Sequence, residues 1–235
     1  MKAFIITIFH PSRLRVVQNL QHMLYTAAIP YQVIQGVPKD QIVPQDETSP
    51  VVCYSCGPGR VRTYRHGHRI NNIRMKLGEI ACTWSHLELY ERLLVEPEDD
   101  CFYLIFEDDA AILDPITPGW VDTLPPLNSW DVLHLAESDW FPFKIDQCVH
   151  NGWYSIHKQF FNRNTAYCVN KNGAAKMLAY CESEVRTPAD DVVSNTFLFR
   201  GLDVLVPKVP RFRESLETQS IVHGCLTDSL ENCNP

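Results

Sequence analysis

The chain has 235 residues, of which 45% are apolar and 21% charged, and its 28 acidic against 21 basic side chains leave a net charge of −7. That length is enough to bury one good-sized core, and the balance of apolar to charged residues excludes disordered and fibrous classes. A net negative chain is poorly suited to neutralising phosphates, so beyond a local basic patch no nucleic-acid partner is expected.

The first residues, Lys2 to Phe9, begin like a signal peptide. His10-Pro11-Ser12-Arg13 then interrupts the run with no small-residue cleavage site, and a buried first strand over Ala3 to Phe9 is the better reading. From Arg13 onward Val16, Val17, Leu20, Met23 and Leu24 recur at helical spacing, and Tyr31 to Ile34 follows as a second strand. Gly78 to Leu94 is helical again, with Ile80, Trp84, Leu87 and the Leu93/Leu94 pair on its apolar side. Phe102 to Phe106 reads as a buried strand that runs straight into Glu107-Asp108-Asp109. Trp130 to Leu135 and Thr165 to Val169 are further strands. Helices are expected after Gly173, carrying Ala174, Met177 and Leu178, and after Pro188, carrying Val192, Val193, Phe197 and Leu198. Asp203 to Val206 is the last strand. Short apolar strands alternating with helices define an α/β sandwich.

Two stretches break the rhythm. Residues 38–75 are rich in Pro, Gly, Arg and His and too long for a plain connector, which points to a functional segment. The polar tail after Pro207 is expected to wrap the surface. With no internal repeat and no linker, one domain over residues 1–235 is expected. No segment is apolar enough to span a bilayer: the longest run free of formal charge, Val16 to Pro38, contains Gln18, Asn19, Gln21, His22, Pro30 and Gly36. Peripheral contact with a membrane stays open. Without a signal segment the nine cysteines are expected to be reduced thiols, and the chain cytoplasmic.

Chemistry concentrates at two places. The strand ending in Glu107-Asp108-Asp109 puts three carboxylates where open α/β sheets bind ligands. Crowded acids raise one another's pKa unless a cation neutralises them, and oxygen ligands suit Mg²⁺ or Mn²⁺. A solvated acidic turn is the plain alternative. Alternation along an extended chain would put Glu107 and Asp109 on one face, making Asp109 the first-choice ligand and Asp108 the second. The other place is Pro188-Ala189-Asp190-Asp191, which reads either as ordinary helix-start chemistry or as a carboxylate poised as a general base.

Gly78-Glu79-Ile80-Ala81-Cys82-Thr83-Trp84-Ser85-His86-Leu87 resembles the GEIGC-x-x-SH helix of glycosyltransferase family 25, which contains bacterial lipooligosaccharide galactosyltransferases and collagen hydroxylysine galactosyltransferases. The resemblance continues in order. It runs through Arg13 after the first strand, Leu104 to Ala110 as the family's L-x-LEDDA segment, and Trp130 to Leu135 as its WD strand. Ala166-Tyr167 with Asn172 to Ala175, Pro188-Ala189-Asp190, Pro210 and Ser220-Ile221 complete it. It implies a GT-A-type fold, a mixed Rossmann-like sheet flanked by helices, and Mn²⁺- or Mg²⁺-dependent transfer of a hexose, galactose or glucose, with inversion. The donor would be a UDP-sugar and the acceptor a hydroxyl on a glycan or protein, as in lipopolysaccharide biosynthesis. On this resemblance Glu107, Asp108 and Asp109 hold the metal and donor diphosphate. Arg13, Glu79, Ser85 and His86 shape the donor site, and Asp190, or Asp191 beside it, is the base, where helix amides would keep Asp190 ionised. Glu137 and Asp139 are the next candidates. His86 as a hydrogen-bonded core group and Arg13 as a solvated helix-start residue are the plain alternatives.

The chain departs from the family between Cys53 and Arg74. Cys53-x-x-Cys56 and His66-x-His68 offer four zinc-type ligands, though not at finger spacing. Alternatively Arg60, Arg62, Arg65, Arg69 and Arg74 meet a diphosphate or an anionic acceptor. A metal-dependent phosphohydrolase and a non-catalytic carbohydrate- or nucleotide-binding relative are the rival readings.

Overall fold

The computed structural model describes residues 1–38, 43–44, 63–64, 77–138, 143–157, 159, 161–181 and 188–215. β1 (Lys2–Thr7) leads through a 3-10 turn (Pro11–Arg13) into α1 (Leu14–Thr26), then β2 (Tyr31–Gln35). β3 (Val43–Pro44) and β4 (Thr63–Tyr64) form a two-residue parallel pair ahead of α2 (Leu77–Leu94). β5 (Phe102–Glu107), β6 (Ala110–Ile112), β7 (Val132–His134), β8 (Ile145–His150), β9 (Trp153–Ile156) and β10 (Ala166–Asn170) follow. α3 (Lys171–Tyr180), α4 (Ala189–Arg200), β11 (Val204–Pro207) and β12 (Phe212–Glu214) complete the described chain.

Eight strands make one mixed sheet in the order β2-β1-β5-β10-β7-β11-β9-β8. β1 runs parallel to both β2 and β5, β10 is antiparallel to β5 and β7, and β7 is parallel to β11. The two faces of this sheet bury different layers, as strand alternation requires. Phe4, Tyr103, Ile105, Tyr167, Val169 and Val132 pack under α2, α3 and α4. Ala3, Ile5, Leu104, Phe106, Cys168 and Leu133 pack under α1, with its Val16, Val17, Leu20, Met23 and Leu24, and against Trp120 and Trp130. The α/β expectation therefore holds: a large mixed central sheet is flanked by helices on both faces. No helix among the described residues is long and apolar enough to cross a membrane.

Several expected boundaries shift for visible reasons. β1 stops at Thr7 because Phe9 adopts a left-handed φ of 55° and its N–H turns back to Thr7 Oγ1 at 2.9 Å. The tail does not simply wrap the surface: β12 pairs antiparallel with β6, and Phe212 is fully buried against Phe106. β8 and β9 escape the sequence reading because β8 is exposed along nearly its whole length and lacks apolar alternation. The Cys53, Cys56, His66 and His68 group, the five arginines between Arg60 and Arg74, and Asp139 lie outside the described residues.

Candidate active site at the carboxyl ends of β1 and β5

The chain leaves β1 through α1 toward β2 on one side, then returns through α2 to place β5 on β1's other side. The connections after β1 and β5 therefore diverge, opening a crevice beyond the carboxyl ends of adjacent parallel strands. This switch point is where open α/β sheets bind ligands. Arg13 comes from the first connection and the acidic triplet from the second.

β5 ends at Glu107, and Asp108-Asp109 form a turn into β6, so the expected alternation does not extend to Asp109. Glu107 keeps the parity of Tyr103 and Ile105 and faces α2. Its Oε1 lies 3.0 Å from His86 Nε2 and 3.7 Å from Cys82 Sγ. Asp108 Oδ2 accepts from Thr7 Oγ1 at 2.9 Å and from the Ile8 N–H at 3.2 Å. Asp109 Oδ2 sits 2.7 Å from Arg13 Nη1, with Asp108 Oδ1 at 3.4 Å from the same nitrogen. Arg13 is only 4% exposed, so it is a buried countercharge and not a solvated helix-start residue. The turn is also held from behind, where the Ser215 N–H donates to the Asp109 carbonyl at 2.8 Å.

These carboxyl groups feel one another. Glu107 is pushed well above the usual carboxylate range, first by burial and then by the charges of Asp109, Asp190 and Asp108, with Arg13 opposing. Asp108 is raised by burial against the pull of Arg13 and Thr7. Asp109 Oδ1 is buried and has no hydrogen-bond partner among the described residues. An unpaired buried carboxylate oxygen is costly, and Arg13 offsets only part of the rise at Glu107 and Asp108.

α2 supplies the wall. Glu79, Cys82 and His86 recur at i, i+3 and i+7 and share one helix face. Glu79 and His86 are buried, Cys82 half-buried. His86 Nδ1 contacts Tyr167 Oη at 2.7 Å, and Tyr167 Oη contacts Tyr90 Oη at 2.7 Å. Burial lowers the imidazole to about 4, while Glu107 is raised. Both directions favour uncharged groups at this contact, a neutral ring facing Glu107 through Nε2 and Tyr167 through Nδ1. Ser85 has a framework position: its hydroxyl donates to the Ala81 carbonyl and accepts the Val37 N–H, both at 2.8 Å, tying the end of β2 to α2.

Asp190, in the first turn of α4, reaches the same region, since its charge acts on both Glu107 and Cys82. Its Oδ1 accepts the Asn164 N–H at 2.9 Å. The expectation that helix amides keep its pKa low is overturned. Burial raises it, Asp191 and Asp109 add to the rise, and the Asn164 and Arg163 N–H groups offset it only in part. Asp191 is half-buried one residue on, and Glu137 follows β7 with its N–H on the Phe212 carbonyl.

Sequence reasoning missed Cys82, Tyr90, Tyr167 and Asn164. The i, i+4 spacing of Cys82 and His86 was legible as one helix face, but nothing in the sequence says which strand faces it.

A mixed sheet with helices on both faces and acids at a strand-end switch point defines a ligand-binding α/β protein with a Rossmann-like sheet. The sequence profile of glycosyltransferase family 25, described as an LPS biosynthesis protein, matches residues 2–193, and the chain belongs to that family. No curated protein matches the chain. Membership makes it a glycosyltransferase, with a sugar donor and a glycan acceptor as the general substrates.

Proposed function

We propose that the chain is a metal-dependent, inverting hexosyltransferase that moves galactose or glucose from a UDP-sugar to a hydroxyl on a glycan or protein. The observation that carries this reading is the buried, unpartnered Asp109 Oδ1 among mutually repelling carboxyls at the switch point. Carboxylate oxygens suit Mn²⁺ or Mg²⁺, and Asp109 is the first candidate ligand, with Glu107, whose Oε1 faces His86 and Cys82, and Asp108 the next. Such an ion, when bound, supplies Lewis-acid stabilisation of the leaving diphosphate. Arg13 holds Asp108 and Asp109 in place and offsets their charge. Glu79, Ser85 and His86 shape the donor side, Ser85 by fixing the β2–α2 junction and His86 by orienting Glu107. Asp190 is the base: its carboxylate, oriented by the Asn164 N–H, takes the acceptor hydroxyl proton. The five cysteines described, Cys82, Cys101, Cys148, Cys168 and Cys181, are free thiols, which supports a reducing, cytoplasmic setting.

The test is a panel of nucleotide sugars incubated with Mn²⁺, scored for slow donor hydrolysis, with an EDTA arm. UDP-galactose or UDP-glucose should be hydrolysed, and EDTA should abolish the signal. Full turnover in EDTA would overturn the metal reading. Donor binding without turnover would favour a non-catalytic relative, and release of inorganic phosphate a phosphohydrolase.

A further inference from the structure

We infer that Cys82, His86 and Glu107 form a binding site for a thiophilic divalent cation of the zinc type, with a ligand chemistry unlike that of the carboxylate ion proposed above. Cys82 and His86 are four residues apart on α2 and so project from one face toward the end of β5. Their ligand atoms and a Glu107 oxygen lie within 4.8 Å of one another. Sγ to Oε1 is 3.7 Å and Nε2 to Oε1 is 3.0 Å. Tetrahedral zinc with ordinary Zn–S, Zn–N and Zn–O bonds has ligand–ligand edges of about 3.3–3.6 Å, so small side-chain shifts close the site.

The surroundings resemble those of a prepared ligand. Metal-bound histidines usually give their second ring nitrogen to a hydrogen-bond partner that fixes tautomer and orientation. Here Nδ1 is held by Tyr167, itself held by Tyr90, and Nε2 is aimed at Glu107. Cys82 is half-buried, leaving its side a route to solvent. As the metal–sulfur bond forms, the Cys82 thiol proton leaves to solvent, so affinity rises with pH.

Hard ions favour the oxygen set and soft ions the sulfur–imidazole set, and Glu107 belongs to both. Drawing Glu107 onto the sulfur–imidazole set takes it from the oxygen set unless its two oxygens bridge the ions. A zinc-type ion should compete with Mn²⁺ and inhibit sugar transfer. This consequence rests on the transferase reading, whereas binding itself does not.

The experiment is a Co²⁺ titration of the full chain in a Cys53→Ser/Cys56→Ser background, which removes the other cysteine-histidine group. The expected result is one bound Co²⁺ with a thiolate-to-cobalt band and tetrahedral visible bands, displaced by one equivalent of Zn²⁺. Cys82→Ser should abolish the thiolate band, and Tyr167→Phe should weaken binding about tenfold, the usual scale for a residue that orients a ligand. Thermal melts of each variant separate lost binding from lost folding. A thiolate band that survives Cys82→Ser, or no thiolate band in a folded Cys53→Ser/Cys56→Ser chain, overturns the site. An inactive donor panel beside an intact cobalt spectrum would refute the transferase reading alone.

Discussion

Asp109 divides its carboxylate between two environments, Oδ2 on the buried Arg13 and Oδ1 with no partner among the described residues. Asp109→Asn keeps the shape, and Asp108 still faces Arg13, so the fold should survive. Donor turnover should nonetheless fall by orders of magnitude, read by hydrolysis alongside circular dichroism, because a charged metal ligand is gone. Asp190 makes a separable prediction. In Asp190→Asn the side-chain oxygen can still accept the Asn164 N–H, so UDP and Mn²⁺ should bind normally. Transfer should drop by about two to four decades, the scale of general-base loss, while Asp191→Asn stays mild. Since burial raises the Asp190 pKa, the inflection of the transfer rate with pH should lie higher than for a free aspartate. Reversed phenotypes would make Asp191 the base. The acids of this site were legible because three adjacent carboxylates after an apolar run are unusual. Their separate partners were not, because the turn after Glu107 is invisible to a rule of strict alternation.

Among the elements, α3 packs closely on the segment leading into β7. A Cβ at Gly173 would stand 2.5 Å from the Asp131 carbonyl oxygen, and the Gly173 N–H is the one capped by Asn170 Oδ1. Helix propensity favours alanine there by about 0.5–1 kcal/mol, whereas overpacking against backbone costs about 1–3 kcal/mol. Gly173→Ala should therefore lower stability by about 1–2 kcal/mol, measured by urea unfolding. Asp131 secures the same junction through Lys176 Nζ, Asn172 Nδ2 and the Asp203 N–H. The long periodic helices and the buried strands β1, β5 and β10 were legible from apolar spacing, which reports burial directly. The strands β6, β8, β9 and β12 were not: β6 and β12 are three residues each and pair across a long stretch of chain, and β8, though a hairpin neighbour of β9, is exposed and lacks apolar alternation.

For the molecule as a whole, both core layers share one sheet, so a single cooperative unfolding transition is expected across the described residues. Its pH dependence should carry the mark of His134, which is fully buried among Phe143 and Phe161. Neither of its ring nitrogens has a partner among the described residues. Burial lowers its pKa from 6.5 to about 4. The unfolded chain therefore binds the proton first, and stability present above pH 6.5 is lost as pH falls toward 4. The gap corresponds to about 3 kcal/mol. His134→Leu should flatten that acid limb, and a variant curve parallel to the parent would refute the assignment. Ligand linkage acts on the same transition. UDP should raise the melting temperature only with Mn²⁺ present, because cation and diphosphate would share one site. Protection by GDP- or CMP-sugars in place of UDP-sugars would overturn the donor assignment.

One short stretch of backbone joins the two halves of this chemistry. The Glu107 N–H donates to the Thr165 carbonyl at 2.9 Å, and one residue earlier the Asn164 N–H donates to the Asp190 carboxylate at 2.9 Å. Main-chain atoms of adjacent residues therefore act as a spacer between the acidic turn and the start of α4, whatever side chains they bear. Substitutions that keep the backbone path should be tolerated here far better than insertions or deletions. Adding a single residue between Asn164 and Thr165 would move one anchor relative to the other and separate the proposed base from the proposed metal ligands, leaving every acid present but out of step.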